Sequence, residues 1–345
     1  MSVLTIALDS MGGDHGPPIV ISGAIKALHQ HSHLFLILCG DAHLINRELK
    51  EVQTAICQRI KVVHCQDVVT MEDKPSTALR RKKDSSMRRA IELVASGEAD
   101  ACVSAGNTGA LFALAAVLLK TLPGIDRPAL VSHLPCQSEQ SVWLLDLGAN
   151  ISNSDTTLVQ NAVMGSVLAQ TVGHLGAKRC NIDPKVALLN VGEEHTKGHE
   201  TIQKAADRLR QLNKINFIGY LEANDIFSGK ADVIVTDGFT GNVALKASEG
   251  IYTFLRSEIS RITCSSLWMK LLAMLCIPIL KKLYKKIKPD QYNGASLIGL
   301  AGIVVKSHGN ANANAVASAI TQAVHEVEQD IPHKIKTTIA NILLE

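Results

Sequence analysis

The chain has 345 residues, 46% of them hydrophobic and only 3% aromatic. That length and apolar content give a globular α/β protein whose core is filled by Ala, Leu, Ile and Val, as suits helices packed on both faces of a parallel sheet. A formal net charge of +3 is too small to argue for a nucleic-acid protein from the total.

Eight cysteines (Cys39, Cys57, Cys65, Cys102, Cys136, Cys180, Cys264, Cys276) are scattered, with no C-x-x-C pair and no zinc-finger spacing. The N-terminal SVLTIAL meets Asp9 and a turn at once, so no secretory leader is read there. The longest strongly apolar run, Leu271 to Leu280, has ten residues and contains Pro278, whereas a spanning helix takes about 20. A reduced, cytoplasmic protein that does not cross a membrane is expected.

Short β-rich runs alternate with longer segments of 3.6 periodicity, the pattern of a mostly parallel sheet with crossover helices. The first expected strand, Val3 to Leu8, ends in the turn MGGDHGP and leads into a helix from Pro17 to His29. Strand Leu34 to Cys39, helix Asp41 to Gln53 and strand Lys61 to His64 follow. The HQHSH stretch, His29 to His33, reads as an exposed loop.

LRRKKDSSMRR, Leu79 to Arg89, holds six basic residues and one acid and opens a helix over Asp84 to Ser96. Arg80, Arg81, Lys82, Lys83, Arg88 and Arg89 form a block suited to an acidic partner. The absence of aromatics there argues against nucleic-acid stacking.

Strand Ala101 to Ser104 ends in SAGNTGA and enters a helix from Gly109 to Leu122. Strands Leu130 to Leu134 and Val142 to Asp146 come next, then the turn DLGAN and a helix from Asp155 to Leu175. Strand Val186 to Asn190 ends in VGEEHTKG before a helix over Lys197 to Leu212. Strands Asn216 to Tyr220 and Val233 to Thr236 precede TDGFTGN and a helix from Asn242 onward.

In such sheets ligands bind outside the carboxyl ends of strands. All five glycine turns are therefore expected on one edge, converging on one crevice. Glycine admits a ligand close to the backbone, and the first-turn N–H groups of a helix can hold an oxyanion. The candidate phosphate and substrate residues are Asp9, Gly12, Gly13, Asp14, Ser104, Gly106, Asn107, Thr108, Gly109, Asn150, Asp237, Thr240 and Gly241. Lys197 is a candidate anion-binding cation, and the Asn242 amide a candidate donor to a carbonyl oxygen turning negative in a tetrahedral transition state.

Other chemistries lack support. The first turn reads G-G-D-H-G rather than G-x-G-x-x-G, which disfavours a nicotinamide cofactor. His195 and His199 enclose Thr196, Lys197 and Gly198 in place of the zincin glutamate, so no metal is expected. No G-x-S-x-G elbow supplies a serine nucleophile.

From Ser248 the character changes. Ile251, Leu255, Ile259 and Ile262 mark an amphipathic helix, followed over Leu267 to Lys288 by an apolar block and then the five lysines Lys281, Lys282, Lys285, Lys286 and Lys288. Residues 243–288 are expected to protrude as an amphipathic helical pair within a single α/β domain over 1–345. Trp268, Leu271, Leu272, Leu275 and Ile277 would meet a membrane surface, and dimerisation is the compatible second role. A short β or irregular stretch, GASLIGLAGIVV, and helices Asn312 to Glu328 and Pro332 to Leu344 close the chain.

Together ALDSMGGDHGP, KPSTALRRKKDSSMR, VSAGNTGAL, GIDRPAL, LLDLGAN, LLNVGEEHTKG and TDGFTGNVALK resemble the bacterial phosphate acyltransferase family of phospholipid synthesis, the PlsX family, from about Ile6 to His308. The resemblance implies a Rossmann-like α/β/α sandwich similar to isopropylmalate dehydrogenase and phosphotransacetylase. It implies a homodimer at the cytoplasmic face of the membrane, without metal or organic cofactor. The implied reaction moves a long-chain fatty acyl group from acyl carrier protein to inorganic phosphate, yielding acyl phosphate for a membrane glycerol-3-phosphate acyltransferase. The family's active lysine and asparagine fall at Lys197 and Asn242. Three positions depart from the family pattern: Ser10 for alanine, Asn293 for glycine and Asn310 for serine. A short-chain phosphotransacetylase-like enzyme and a basic membrane-binding adaptor are the competing readings.

Overall fold

The computed structural model describes residues 3–137, 141–172, 183–265, 268, 269, 276 and 294–343. Its strands are β1 (Leu4–Asp9), β2 (Leu34–Gly40), β3 (Ile60–His64), β4 (Ala101–Ser104), β5 (Ala129–Pro135), β6 (Ser141–Leu145), β7 (Val186–Leu189), β8 (Phe217–Leu221), β9 (Val233–Val235), β10 (Ala295–Ile298) and β11 (Ile303–Lys306). They form one sheet in the order β3-β2-β1-β4-β11-β10-β5-β6-β9-β7-β8.

Between them lie α1 (Pro17–Gln30), α2 (Ala42–Leu49), α3 (Thr54–Cys57), α4 (Pro75–Arg80), α5 (Ser86–Ala95), α6 (Thr108–Leu119), α7 (Asp155–Thr171), α8 (Glu200–Gln211) and α9 (Gly238–Thr263). Two closing helices, α10 (Ala313–Glu328) and α11 (Ile331–Leu343), complete the described chain.

The strands read as near-continuous apolar runs because both sheet faces are covered. Ile6 and Leu8 of β1 pack under α1 and α10 on one face, while Ala7 between them faces the layer of α5 and α6. In the second half α7, α8 and α11 cover Val131, Trp143, Leu145 and Val233. Helix α7 is buried around most of its circumference, from Thr157 to Ala169, and takes the polar Thr157, Gln160, Asn161 and Ser166 into the interior with its apolar residues.

Strand direction departs from the single-edge expectation. Strands β1, β4 and β11 run parallel. Strand β10 opposes both β11 and β5, and β5 opposes β6. From β6 through β9 to β7 the pairing is parallel again. The second half therefore runs opposite to the first. The turns after β1 and β4 leave one edge, and those after β6, β7 and β9 leave the other, so the five do not share an edge. The antiparallel β5–β6 pairing causes this, since β10, opposing both β11 and β5, leaves those two parallel; the β10–β11 hairpin, not read as paired strands, is inserted at the sheet's centre.

Other local differences are smaller. The helix expected over Asp41 to Gln53 is two pieces, α2 and α3, and α4 was not foreseen. Helix α8 starts at Glu200, which leaves Lys197 in the preceding loop. Helix α9 starts at Gly238 because Asp237 caps it, its carboxylate accepting the Thr240 N–H at 2.9 Å. A shared carboxylate cap outcompetes the later start at Asn242.

One buried acid in α10 answers to no expected role. Glu326 is fully buried and accepts hydrogen bonds from the Ser296 hydroxyl and, at 2.7 Å, from the Gln322 amide. Burial pushes its carboxyl up to about 7, against the pull of those two donors. A carboxyl raised in the folded state stabilises fully below its unfolded value and loses that stability as pH rises through the folded one. Glu326→Gln should therefore raise stability at pH 8 by on the order of 2–3 kcal/mol, with the gain shrinking to nothing near pH 4.5. Thermal midpoints across that range measure it, and a pH-independent difference would refute it.

Candidate active site

Two buried carboxylates organise the glycine turns, one in each half of the sheet. At the end of β1, Asp9 accepts hydrogen bonds from the hydroxyls of Ser86 and Ser104, both at 2.6 Å. Ser104 in turn accepts the Gly106 N–H at 3.0 Å, which sets the turn leading to α6. Burial holds the Asp9 carboxyl above the usual range, with the two serines pulling it down. A Cβ on Gly12 would stand 2.7 Å from both the Asp9 carboxylate and the Gly106 nitrogen, so glycine is what lets the first turn lie on the second. Asp14 continues this contact through its backbone, its N–H reaching the Gly309 carbonyl at 2.8 Å. Gly13, with φ near +90°, turns the chain between them.

In the other half Asp146 accepts backbone N–H groups from Leu130, Gly148, Ala149 and Asn150 at 2.9–3.1 Å. The Asn150 amide adds a bond to Asp146 at 2.9 Å and another to the Pro128 carbonyl at 2.8 Å. The first turns of α9 rest on this knot. A Cβ on Gly241 would enter the van der Waals shell of the Asp146 carbonyl oxygen, which explains the glycine there.

Helix α9 joins the two halves. It leaves the carboxyl end of β9, passes Gly148 at Asn242, and meets the loop after β11 where Glu249 pairs with His308 at 3.0 Å. Seven residues separate Asn242 from Glu249, a rise of roughly 10 Å. Burial alone would raise the Glu249 carboxyl, but hydrogen bonds from His308 and Lys246 bring it down to about 2.

Beneath α9 lies a cavity of about 800 Å³, within the size range of small-molecule sites. Leu130, Leu134, Phe227, Leu245, Tyr252 and Leu255 give it apolar walls. Its polar lining comes from both halves of the sheet: Thr108, Lys306, Ser307 and His308 from one, Gly148 and Asn242 from the other.

The expected residues divide accordingly. Asn242 and Thr108 line the cavity, and the Asn242 amide has no hydrogen-bond partner among the described residues. Asp9, Ser104, Gly12, Gly106 and Asp146 form the scaffold behind it. Asn107 is committed to structure: its carbonyl oxygen caps α6 at the Ala110 N–H, and its amide donates to the carbonyls of Thr70, Met71 and Asp73. Asn150, Asp237 and Thr240 are likewise engaged in the turns they build. Gly109 sits against Pro75 at the start of α4. Lys197 is exposed, stands outside the cavity lining, and makes no described contact with the Gly106 to Gly109 turn.

The basic block also narrows. Lys82 is tied to Asp73 and to the Val68 carbonyl at 2.6 Å, and Arg88 to Glu92 at 2.8 Å and the Leu79 carbonyl. These two hold the loop around α4 together. Arg80, Arg81, Lys83 and Arg89 remain exposed, Arg89 with a long contact of 3.5 Å to Glu92. Trp268 is helical and 78% exposed, and Phe239, Phe254 and Ile262 of α9 are also exposed. Leu271, Leu272, Leu275, Ile277 and Asn293 lie outside the described residues. No described helix is long and apolar enough to cross a membrane.

Sequence reading missed Lys306, His308 and Glu249. The first two close the run IVVKSHG, in which a lysine ends an apolar strand, a signal visible only once that run is read as a strand.

This arrangement is the fold of the phosphotransacetylases. The chain superposes on a phosphotransacetylase from Streptococcus pyogenes with a TM-score of 0.64 at 16% identity, covering 94% of each chain. The EutD phosphotransacetylase from Staphylococcus aureus gives 0.60 at 17% identity over 94% of this chain and 95% of that one. A family model described as fatty acid synthesis protein matches residues 4–334. Proteins named phosphate acyltransferase from Pseudoalteromonas atlantica and Shewanella baltica are 52% and 51% identical over all 345 residues and 99% of their own length. The chain belongs to the phosphate acyltransferase family.

The packing of α9 on the Asp146 knot yields a paired prediction. Gly241→Ala should destabilise by about 3 kcal/mol or more through backbone overlap. Gly250→Ala, in the same helix with nothing near its Cβ position, should stabilise by about 0.5–1 kcal/mol. Denaturant midpoints check both, and equal effects would remove the packing explanation.

Proposed function

We propose that this protein transfers a long-chain fatty acyl group from acyl carrier protein to inorganic phosphate. Family membership supports acyl transfer to phosphate. The observation that carries the donor's chemistry is the cavity under α9, an apolar chamber with a polar end. Its walls suit an alkyl chain, and Asn242 stands where a thioester carbonyl would meet a free amide donor.

In this reading phosphate is itself the nucleophile, so no protein nucleophile is required. The N-terminus of α6, with Thr108 exposed at the cavity, receives the anion. A phosphate oxygen bonds to the thioester carbon as Asn242 donates to the developing oxyanion. The carbon–sulfur bond then breaks and the carrier leaves as its thiol, leaving acyl phosphate. Positioning and electrostatics supply the rate. Lys197, on the loop after β7, is assigned a positive charge that favours the anion without touching it. Arg80, Arg81, Lys83 and Arg89 are assigned to the acidic carrier. The exposed apolar residues of α9 and Trp268 serve a homodimer contact and the cytoplasmic membrane surface, where a glycerol-3-phosphate acyltransferase would take up the product for phospholipid synthesis.

A short-chain acyl-CoA substrate, as the names of the phosphotransacetylase neighbours suggest, would leave the apolar chamber unused. Thiol release from palmitoyl carrier protein, with and without phosphate, decides the matter. Release should require phosphate and exceed that from acetyl-CoA, and phosphate-independent release would overturn the proposal. Asn242→Ala should lower kcat by about 100- to 1,000-fold. Lys197→Ala should abolish turnover with an unchanged thermal midpoint, and near-normal activity would remove Lys197 from the mechanism.

A further inference from the structure

Lys306 is the one charged cavity residue that sequence reading gave no role and that the fold buries, being 7% exposed. It ends β11 directly beside Ser104 of β4, which sets its side chain next to the turn entering α6. Its ammonium donates to the carbonyls of Ala105, at 3.4 Å, and Ser307. Ala105 immediately precedes Gly106. No carboxylate forms an ion pair with Lys306 among the described residues.

Such a position is costly without a ligand. A buried ammonium needs a counter-charge, and an ammonium has three N–H donors of which two are used here. Asp9 is near, but its oxygens are already taken by Ser86 and Ser104, and burial disfavours its charge. On the cavity side of the same turn, the N–H groups of Thr108 and Gly109 lie beyond the reach of the Asn107 cap, which bonds only Ala110. The Lys306 ammonium, bonded to the carbonyl of Ala105, and Thr108 at the start of α6 thus line one cavity from two different elements.

We propose that Lys306 is the cation that seats the attacking phosphate at the N-terminus of α6. This rests on the phosphate-transfer reading and assigns to Lys306, rather than to exposed Lys197, the direct contact with the anion. Burial lowers the Lys306 ammonium to about 8, Lys246 adding to that pull while Asp9 and Asp14 oppose it. A dianion beside it would favour the charged form further.

The test is steady-state kinetics of Lys306→Gln with palmitoyl carrier protein and varied phosphate. The KM for phosphate should rise about 10- to 100-fold, the loss of one charge-assisted contact, with the KM for the acyl donor unchanged. An unchanged KM for phosphate with reduced kcat makes Lys306 a structural residue and overturns the proposal. Should the variant fail to fold, lysine modification of the wild-type protein at pH 8, read by peptide mass spectrometry, replaces it. Inorganic phosphate should slow modification of Lys306 while leaving exposed Lys204 unaffected, and equal modification with and without phosphate overturns the assignment. If the wild-type protein shows no phosphate-dependent thiol release, the functional reading fails. Phosphate protection of Lys306 would still report whether the anion site exists.

Discussion

The reversal of strand direction at the centre of the sheet is the constraint on which the site depends. Because the β5–β6 hairpin turns the second half against the first, the glycine turns of the two halves leave opposite edges. No loop of ordinary length would bring them together. A helix of 26 residues does so, with Asn242 over one half and Glu249 tied to His308 of the other. The cavity exists because α9 stands off the sheet along this diagonal, and both its apolar walls and its mixed polar end follow from that placement.

Each end of the diagonal is anchored by a buried carboxylate used as a backbone organiser. Asp146 gathers three backbone N–H groups of one tight turn and a fourth, that of Leu130, from β5, while Asp9 works through two serine hydroxyls and one relayed N–H. Burying a carboxylate costs several kcal/mol unless its lone pairs are filled, so these residues are intolerant of change for structural reasons. Their glycine neighbours are equally constrained, since a Cβ at Gly12 or Gly241 would meet those anchors. Several residues that look like ligands from their motifs are therefore the frame that holds ligand-facing atoms in place.

Much of the candidate site was legible because glycine turns before helices carry a local signature. Asn242 and Thr108 were found this way, and both line the cavity. Asn107, Asn150, Asp237 and Thr240 were found by the same signature but spend their side chains on caps and turns, since short polar side chains satisfy backbone groups as readily as they bind ligands. Lys82 and Arg88 belonged to a real cluster of charge, yet Asp73 and Glu92 claim them. Lys306 escaped because a lysine ending an apolar run resembles any strand terminus until the strand's neighbours are known.

The amino-acid sequence alone determined the class of fold, the places of the first nine strands and most helices, and the identity of the family. These rest on periodicity, turn chemistry and long motifs, all of which act over a few residues. Strand direction, the central β10–β11 hairpin, the path of α9 and the burial of Lys306 were decided only by tertiary structure. The reversal and the hairpin are themselves short-range pairings, β5 with β6 and β10 with β11, but their place in the sheet depends on distant partners such as Lys306 with Ser104 and Ser296 with Val131. Local propensity carries no information about which of two distant edges a strand will join, because that choice is made by the packing of whole layers.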